Sequence, residues 1–345
     1  MMAVQDRPSR RARIAVAAGI GILATVAAHA HLTLFENVLG FDFTWPWRAA
    51  RILLTGSNPY QVIRPAGVFP FDAYFKYPLP AALVALPFAR LSGAGAAAAF
   101  GGISAGLLTY GLTEQSWGRL FILMSPPFVD VLFSGQWSTL LMAGALVPAV
   151  SWVAVCKPTV GLAVFAYRPN RWALLGGAIL LAVSFVVLPS WLSDWLDILR
   201  RDDLARWYMA PVALIGGPVL LLALLRWRRP EARYLLLISV TPHVLWFYTA
   251  FLVMLIAQTR REAQIMSLLS VAAWFGCSWW LAGRTFNAVG ASFAGYWLLG
   301  FMFVPALVMV LHRPNEGTVP AWLERRVSSL PGWLRGTPAA TPISD

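Results

Sequence analysis

Apolar runs broken by short charged or Pro/Gly-rich turns follow one another along most of the chain. They fall at about 13–34, 79–92, 94–112, 119–134, 138–156, 158–167, 172–189, 211–226, 233–242, 243–258, 264–282 and 290–311. This succession constrains the fold more than any single motif, because a helix needs about 20 apolar residues to cross about 30 Å of hydrocarbon. Asp, Glu, Lys and Arg make up 12% of the residues, about half of the roughly 25% that keeps a soluble domain wet. The 17 Trp, 20 Phe and 9 Tyr exclude a disordered chain. The expected fold is all-α: a polytopic membrane helix bundle of about 12 transmembrane helices, some of them short or re-entrant. The short runs 158–167 and 233–242 are expected to be broken or re-entrant, which is tolerated only where protein walls them off from lipid. The first run follows Arg7, Arg10, Arg11 and Arg13 as a signal peptide would, but it lacks a small-x-small cleavage site and reads as an anchor.

The net charge of +12 raises the question of nucleic acid. Its distribution answers differently. With 12 passes and both termini in the cytoplasm, the internal segments hold 17 of the 27 basic residues and six acids, a balance of +11. The external segments hold ten basic residues and eight acids, a balance of +2, and Asp130 inside a span supplies the last −1. The excess is a topology signal of the positive-inside kind, and no nucleic-acid partner is expected. The expected location is the cell membrane, as a multi-pass protein with cytoplasmic N and C termini. A membrane domain spans 1–312, and a Pro-rich cytoplasmic tail spans 313–345. Cys156 and Cys277 stand apart in apolar stretches, and the four His show no metal-ligand spacing.

Two external segments are long enough to act. In 190–210, Leu192, Trp195, Leu196 and Leu199 share one helical face, with Asp194, Asp197, Arg200 and Arg201 opposite, which predicts an amphipathic interfacial helix. A passive tether is as consistent with that pattern as substrate contact. The other segment, 35–78, carries FENVLGFDFTWPWRAARILLTGSNPY. Thr44 is suited to cap a helix with Pro46 in its first turn, Gly56 to end it, and Ser57–Tyr60 to turn the chain. Asp42 then lies just ahead of the helix, where the helix N-terminus and Arg48 and Arg51 favour an ionised carboxylate able to accept a proton. By spacing alone, a solvated loop residue or helix cap is the better reading of Asp42.

The ordered motifs along the chain resemble those of the GT-C-fold membrane glycosyltransferases that use polyprenyl-phosphate sugars, specifically family 87, which includes mycobacterial mannosyltransferases. The matching residues are Asp42, Ala49–Ala50, Leu54–Tyr60 (LTGSNPY), Phe75–Pro78 (FKYP), Leu86–Pro87 with Ala89–Arg90, Ser125–Pro127, Ser134–Gln136, Lys157–Pro158, and Thr241–Pro242 with Trp246 and Tyr248. They cover about residues 38–258. The chain departs from the family pattern at Leu79 after Tyr77–Pro78, at Trp137 after Gln136, and in the short interval between Gln136 and Lys157.

The resemblance implies an inverting transfer of a sugar, with mannose favoured, from a polyprenyl-phosphate donor to an envelope glycan or glycolipid on the external face. Asp42 would be the general base. Lys76, Tyr77, Arg48, Arg51, Lys157 and His243 are the candidates for binding the donor phosphate and substrate, since fixed cations stabilise a leaving phosphate. His243 has an even alternative as a buried ring bonded to a backbone carbonyl, and Asp130 as a buried structural partner. No resident cofactor is expected. A divalent ion on the donor phosphate stays compatible, because one or two carboxylates with phosphate oxygens suffice to hold Mg²⁺. The competing readings are a membrane transporter or lipid flippase, and an inactive GT-C-like scaffold.

Overall fold

Four glycine and alanine positions bring two long helices into backbone contact. In the computed structural model, which describes residues 8–35, 41–65, 73–201, 208–282, 288–317, 324 and 331–337, α1 (Arg10–Leu34) packs antiparallel on α5 (Gly93–Leu112). A Cβ on Gly102 would meet the Gly21 carbonyl at 2.6 Å and run into the Thr25 hydroxyl, and one on Gly106 would meet the Ala17 carbonyl at 3.1 Å. At one end of this pair the Arg13 guanidinium donates to the Tyr110 carbonyl at 2.7 Å. At the other end His31 stacks on Phe133 at 4.1 Å. We call these the far end and the site end.

The described residues are helical, with no strand longer than an isolated bridge. By length and composition four helices among the described residues can cross a membrane: α1, α5, α12 (Arg260–Leu281) and Phe293–Leu311. A fifth is possible if α9 (Arg171–Val187) and α10 (Trp191–Arg201), bent by 92°, count as one span. The remaining apolar runs form helices too short for the expected 12 simple spans, and several are broken. Residues 117–124 are 3₁₀ and lead into α6 (Pro126–Phe133), and α7 (Ser138–Leu146) is followed by 3₁₀ residues 148–156. The chain is thus a helical, apolar protein suited to a membrane, built around a core of buried short helices.

Two runs behave otherwise than expected. The run at 79–92 is not a crossing. Its helix α4 (Leu79–Ala85) and the turn to Phe88 begin beside the site and end at the site end, where α5 starts; the Phe88 carbonyl accepts from Trp47 at 3.1 Å. Leu79, Pro80, Ala81, Ala82, Leu83 and Ala85 are all buried, so protein shields this returning element on most sides. The run at 138–156 goes down and back. Ser138 bonds the Tyr248 carbonyl at the site end, Leu146 meets Arg168 at the far end, and Cys156 is back at the site. Nine residues of 3₁₀ helix rise about 18 Å, at about 2 Å each, against about 14 Å for nine residues of α-helix. That extra rise lets so short a return reach the site. The runs expected to be broken or re-entrant form the continuous helices α8 (Pro158–Tyr167), with Leu162 exposed, and α11 (Pro230–Val240), most of it buried.

These corrections exchange some charges between ends. Arg90 belongs at the site end. Glu114, 3.8 Å from Arg168, and Arg119, bonded to the Leu255 and Ala257 carbonyls, belong at the far end. Among the described residues the far end carries 14 basic residues and five acids and the site end eight and three, a balance of +9 against +5. At the far end Arg313 bridges Glu231 (3.1 Å) and Glu262 (2.7 Å), and Arg228 grips Glu324 of the tail through both guanidinium nitrogens.

Candidate active site

The helix carrying Asp42, α2 (Phe41–Leu54), begins three residues before Thr44. Thr44 is therefore not its cap but a buried residue of its first turns, and Asp42 lies within the first turn. What holds this start is tertiary: the Asp42 backbone N–H donates to the Ser134 carbonyl at the end of α6, at 3.1 Å. Pro46 lacks an N–H, so the helix offers no i+4 donor to the Asp42 carbonyl. The helix stops as expected at Gly56, whose φ of 73° needs no Cβ, and Asn58 caps the short α3 (Pro59–Val62) that follows.

Lys157 reaches the same place from a break in helix. It sits between the 3₁₀ return and α8, in a non-helical conformation (φ −143°, ψ 78°), the following proline disfavouring the helical one. Its Nζ lies 3.1 Å from Asp42 Oδ2, the two side chains being 19% and 23% exposed. The same ammonium lies 5.0 Å from the Tyr248 ring centroid and 5.7 Å from that of Tyr77. A carboxylate and two aromatic faces thus surround one cation. Tyr77 also hydrogen-bonds Asp42; desolvation first, then that carboxylate and the bond to it, hold its phenol well above the usual range. The phenol therefore stays a neutral donor to the carboxylate.

His243 closes another side. It is 3% exposed, and its backbone pairs with Met209 through bonds of 2.8 and 3.1 Å. Its Nε2 lies 3.2 Å from the Ile238 carbonyl. A carbonyl only accepts, so Nε2 carries a proton and, in the neutral ring, Nδ1 is the acceptor. His243 is thus a carbonyl-bonded buried ring that also lines the cavity. Asp130 is half-buried, accepts from the Trp246 indole at 3.3 Å, and has a structural partner. Gln136 Oε1 and Trp137 Nε1, just beyond the Ser134 carbonyl that anchors Asp42, are buried without a hydrogen-bond partner among the described residues.

These groups surround a cavity of about 660 Å³, within the range of ligand sites. Asp42, Lys76, Tyr77, Lys157 and His243 all line it. Arg48 and Arg51 do not. At about 100° per residue they lie roughly 120° and 180° around α2 from Asp42, and both guanidinium groups lie over Trp47 instead, at 5.7 and 5.0 Å. Sequence reasoning missed the aromatic wall of Trp45, Tyr74, Trp195, Tyr208 and Tyr248. Only Tyr248 had a signal, as part of a matched motif; Trp195 is one of two Trp in α10.

The helix α10 covers Trp191–Arg201 of the segment 190–210. Trp191 and Ile198 are buried, with Asp194 and Trp195 half-buried beside them, while Leu192 and Leu196 are exposed. Residues 202–207 of that segment, and 36–40 and 66–72 of the first loop, lie outside the described residues. Comparison of the chain with family models, with curated proteins and with solved structures gives no match.

The site offers an accepting carboxylate, a cation beside it, a second cation in Lys76, and several aromatic side chains in the wall. This is a set suited to a polar ligand carrying an anionic group and a flat apolar face.

Proposed function

We propose that this chain is a membrane glycosyltransferase that moves a sugar, with mannose favoured, from a polyprenyl-phosphate donor to an envelope glycan or glycolipid on the external face. The observation that carries the reading is the Asp42–Lys157 pair, 3.1 Å apart in an aromatic-lined cavity of an apolar helical protein. Among the described residues that line the cavity Asp42 is the one carboxylate, which fits an inverting displacement, whereas a retaining enzyme pairs two carboxyl groups about 5 Å apart across its substrate. Asp42 takes the proton of the acceptor hydroxyl as its oxygen bonds the anomeric carbon. The bond from that carbon to the phosphate oxygen breaks, and polyprenyl phosphate leaves with the electron pair. Lys157, with Lys76, would meet the charge gained by that phosphate. Tyr77 orients the carboxylate.

The test is transfer of radiolabelled sugar from polyprenyl phosphate to endogenous acceptor in membranes holding the full chain. Asp42→Asn keeps shape and removes the proton acceptor, so transfer is expected to fall about 10²–10⁴-fold with membrane insertion unchanged. Transfer by Asp42→Asn at the wild-type rate refutes the base assignment. A wild-type protein that carries label across the bilayer without transferring it favours the transporter reading.

A further inference from the structure

The helix α10 has three environments along three faces. Trp191 and Ile198 pack into a hydrophobic cluster with Tyr60, Ile63, Phe75 and Leu79, separate from the main core. Leu192 and Leu196 point outward, 37% and 39% exposed. Trp195 and Leu199 line the cavity. Two side-chain hydrogen bonds tie the helix to the first loop. Asn58 donates to Asp194 at 2.8 Å, and the Trp195 indole donates to the Lys76 carbonyl at 2.9 Å. The second bond falls on the peptide joining Lys76 to Tyr77. Both of those residues line the cavity, and Tyr77 bonds Asp42. On its other side the Tyr77 carbonyl accepts from the Tyr60 hydroxyl at 3.0 Å. A contact path therefore runs from two outward leucines, through Trp195, to the residues that hold Asp42.

We propose that Trp195 is a positioning residue that holds the Lys76–Tyr77 wall of the cavity against Asp42, and that it does so while α10 rests on the membrane surface through Leu192 and Leu196. An indole N–H bonded to a carbonyl fixes the peptide plane that carries it. Rotation of that plane moves Lys76 and Tyr77 together. An amphipathic helix holds an interface through its apolar side chains, and these two leucines are the ones on α10 that the protein leaves uncovered. The site is then fully assembled only at the bilayer, where a lipid-borne substrate resides. This inference rests on the donor reading proposed above.

The test uses the full chain in lipid nanodiscs with Thr159→Cys as reporter, since Thr159 is exposed and lines the cavity. Labelling of that thiol by an impermeant maleimide is followed against polyprenyl phosphate, with the unsubstituted chain setting the background from Cys156 and Cys277. Adding Trp195→Phe keeps the ring and removes the N–H. It is expected to raise the protecting concentration about five- to tenfold, the scale of one hydrogen bond. In the transfer assay it should raise the donor KM by the same factor with kcat little changed. The pair Leu192→Glu with Leu196→Glu alters only exposed positions, so it tests the membrane link without disturbing the fold, and a shift in the same direction is expected. Equal protection with and without Trp195→Phe overturns the role of Trp195 and leaves the donor reading standing. A shift with Trp195→Phe but none with the Leu pair overturns the membrane link. Absence of protection in every background overturns the donor reading and this inference with it.

Discussion

Replacing Lys157 by Met separates two tasks that the lysine is placed to perform. The side chain keeps most of its length, being one atom shorter, and loses its charge. At 3.1 Å and an effective dielectric of about 20, its attraction to Asp42 amounts to about 5 kcal/mol. Desolvation of both groups offsets most of this, and their exposures of 19% and 23% place the pair between surface and buried bridges. A net coupling of about 1–2 kcal/mol follows. A double-mutant cycle with Asp42→Asn, read by thermal unfolding in detergent, should therefore find each single variant less stable than additivity predicts from the double variant. The second task is the phosphate. Removing a fixed donor from a developing anion costs about 10²–10³ in rate, so Lys157→Met should lose transfer well beyond its loss of stability. A cycle that closes at zero coupling refutes the ion pair. A Lys157→Met protein with wild-type transfer refutes the phosphate role even where the coupling is found.

Arg51→Ala should leave transfer within about twofold of wild type, since an exposed side chain away from the cavity contributes little, whereas Lys76→Ala in the cavity wall should raise the donor KM; equal effects in the same radiolabel assay would refute the placement of the two cations. Gly102→Ala should destabilise the protein by about 1–3 kcal/mol through overpacking, read as a lowered unfolding temperature, because its Cβ would meet the Gly21 carbonyl at 2.6 Å. The phenols of Tyr60 and Tyr77 are both raised above the ordinary value of 10.0, by desolvation first in each case. The unfolded chain then releases protons above pH 10 that the folded chain retains, so stability is unaffected below that pH and falls above it, by up to about 1.4 kcal/mol per pH unit for each phenol. Unfolding temperatures between pH 9 and 11 should show a shallower decline in Tyr60→Phe and Tyr77→Phe.

What could be read in advance was the composition of the site more than its shape. Asp42, Lys76, Tyr77, Lys157 and His243 were found through ordered short motifs, and the structure gathers them although Asp42 and Lys157 are 115 residues apart. Arg48 and Arg51 were misplaced because Thr44 looked like the strongest local cap. The Ser134 carbonyl that bonds the Asp42 N–H is a partner that no local pattern displays. The burial of Trp191 and Ile198 on α10 has no signal in the two-sided pattern. Two-sided amphipathicity assumes one apolar and one polar neighbour, and this helix borders protein, cavity and an uncovered apolar surface. Hydrophobic runs marked where helices form. They did not say which run returns to its own end, because α4 and a crossing helix of ten residues carry the same pattern when both are enclosed by protein.

The returning α4 and the doubled-back 138–156 have a joint effect on parity. The first removes one traverse of the bundle and the second adds one, so every element after Lys157 keeps the sense it would have had without either. Were only one of the two present, the turn bearing His243 would emerge at the end opposite Asp42, and the carboxylate, the ammonium and the imidazole could not share a cavity. The short interval between Gln136 and Lys157 and the sharp break after Tyr77 are therefore two halves of one condition on the chain, and an insertion that lengthened either into a different number of passes would dismantle the site without touching a residue in it.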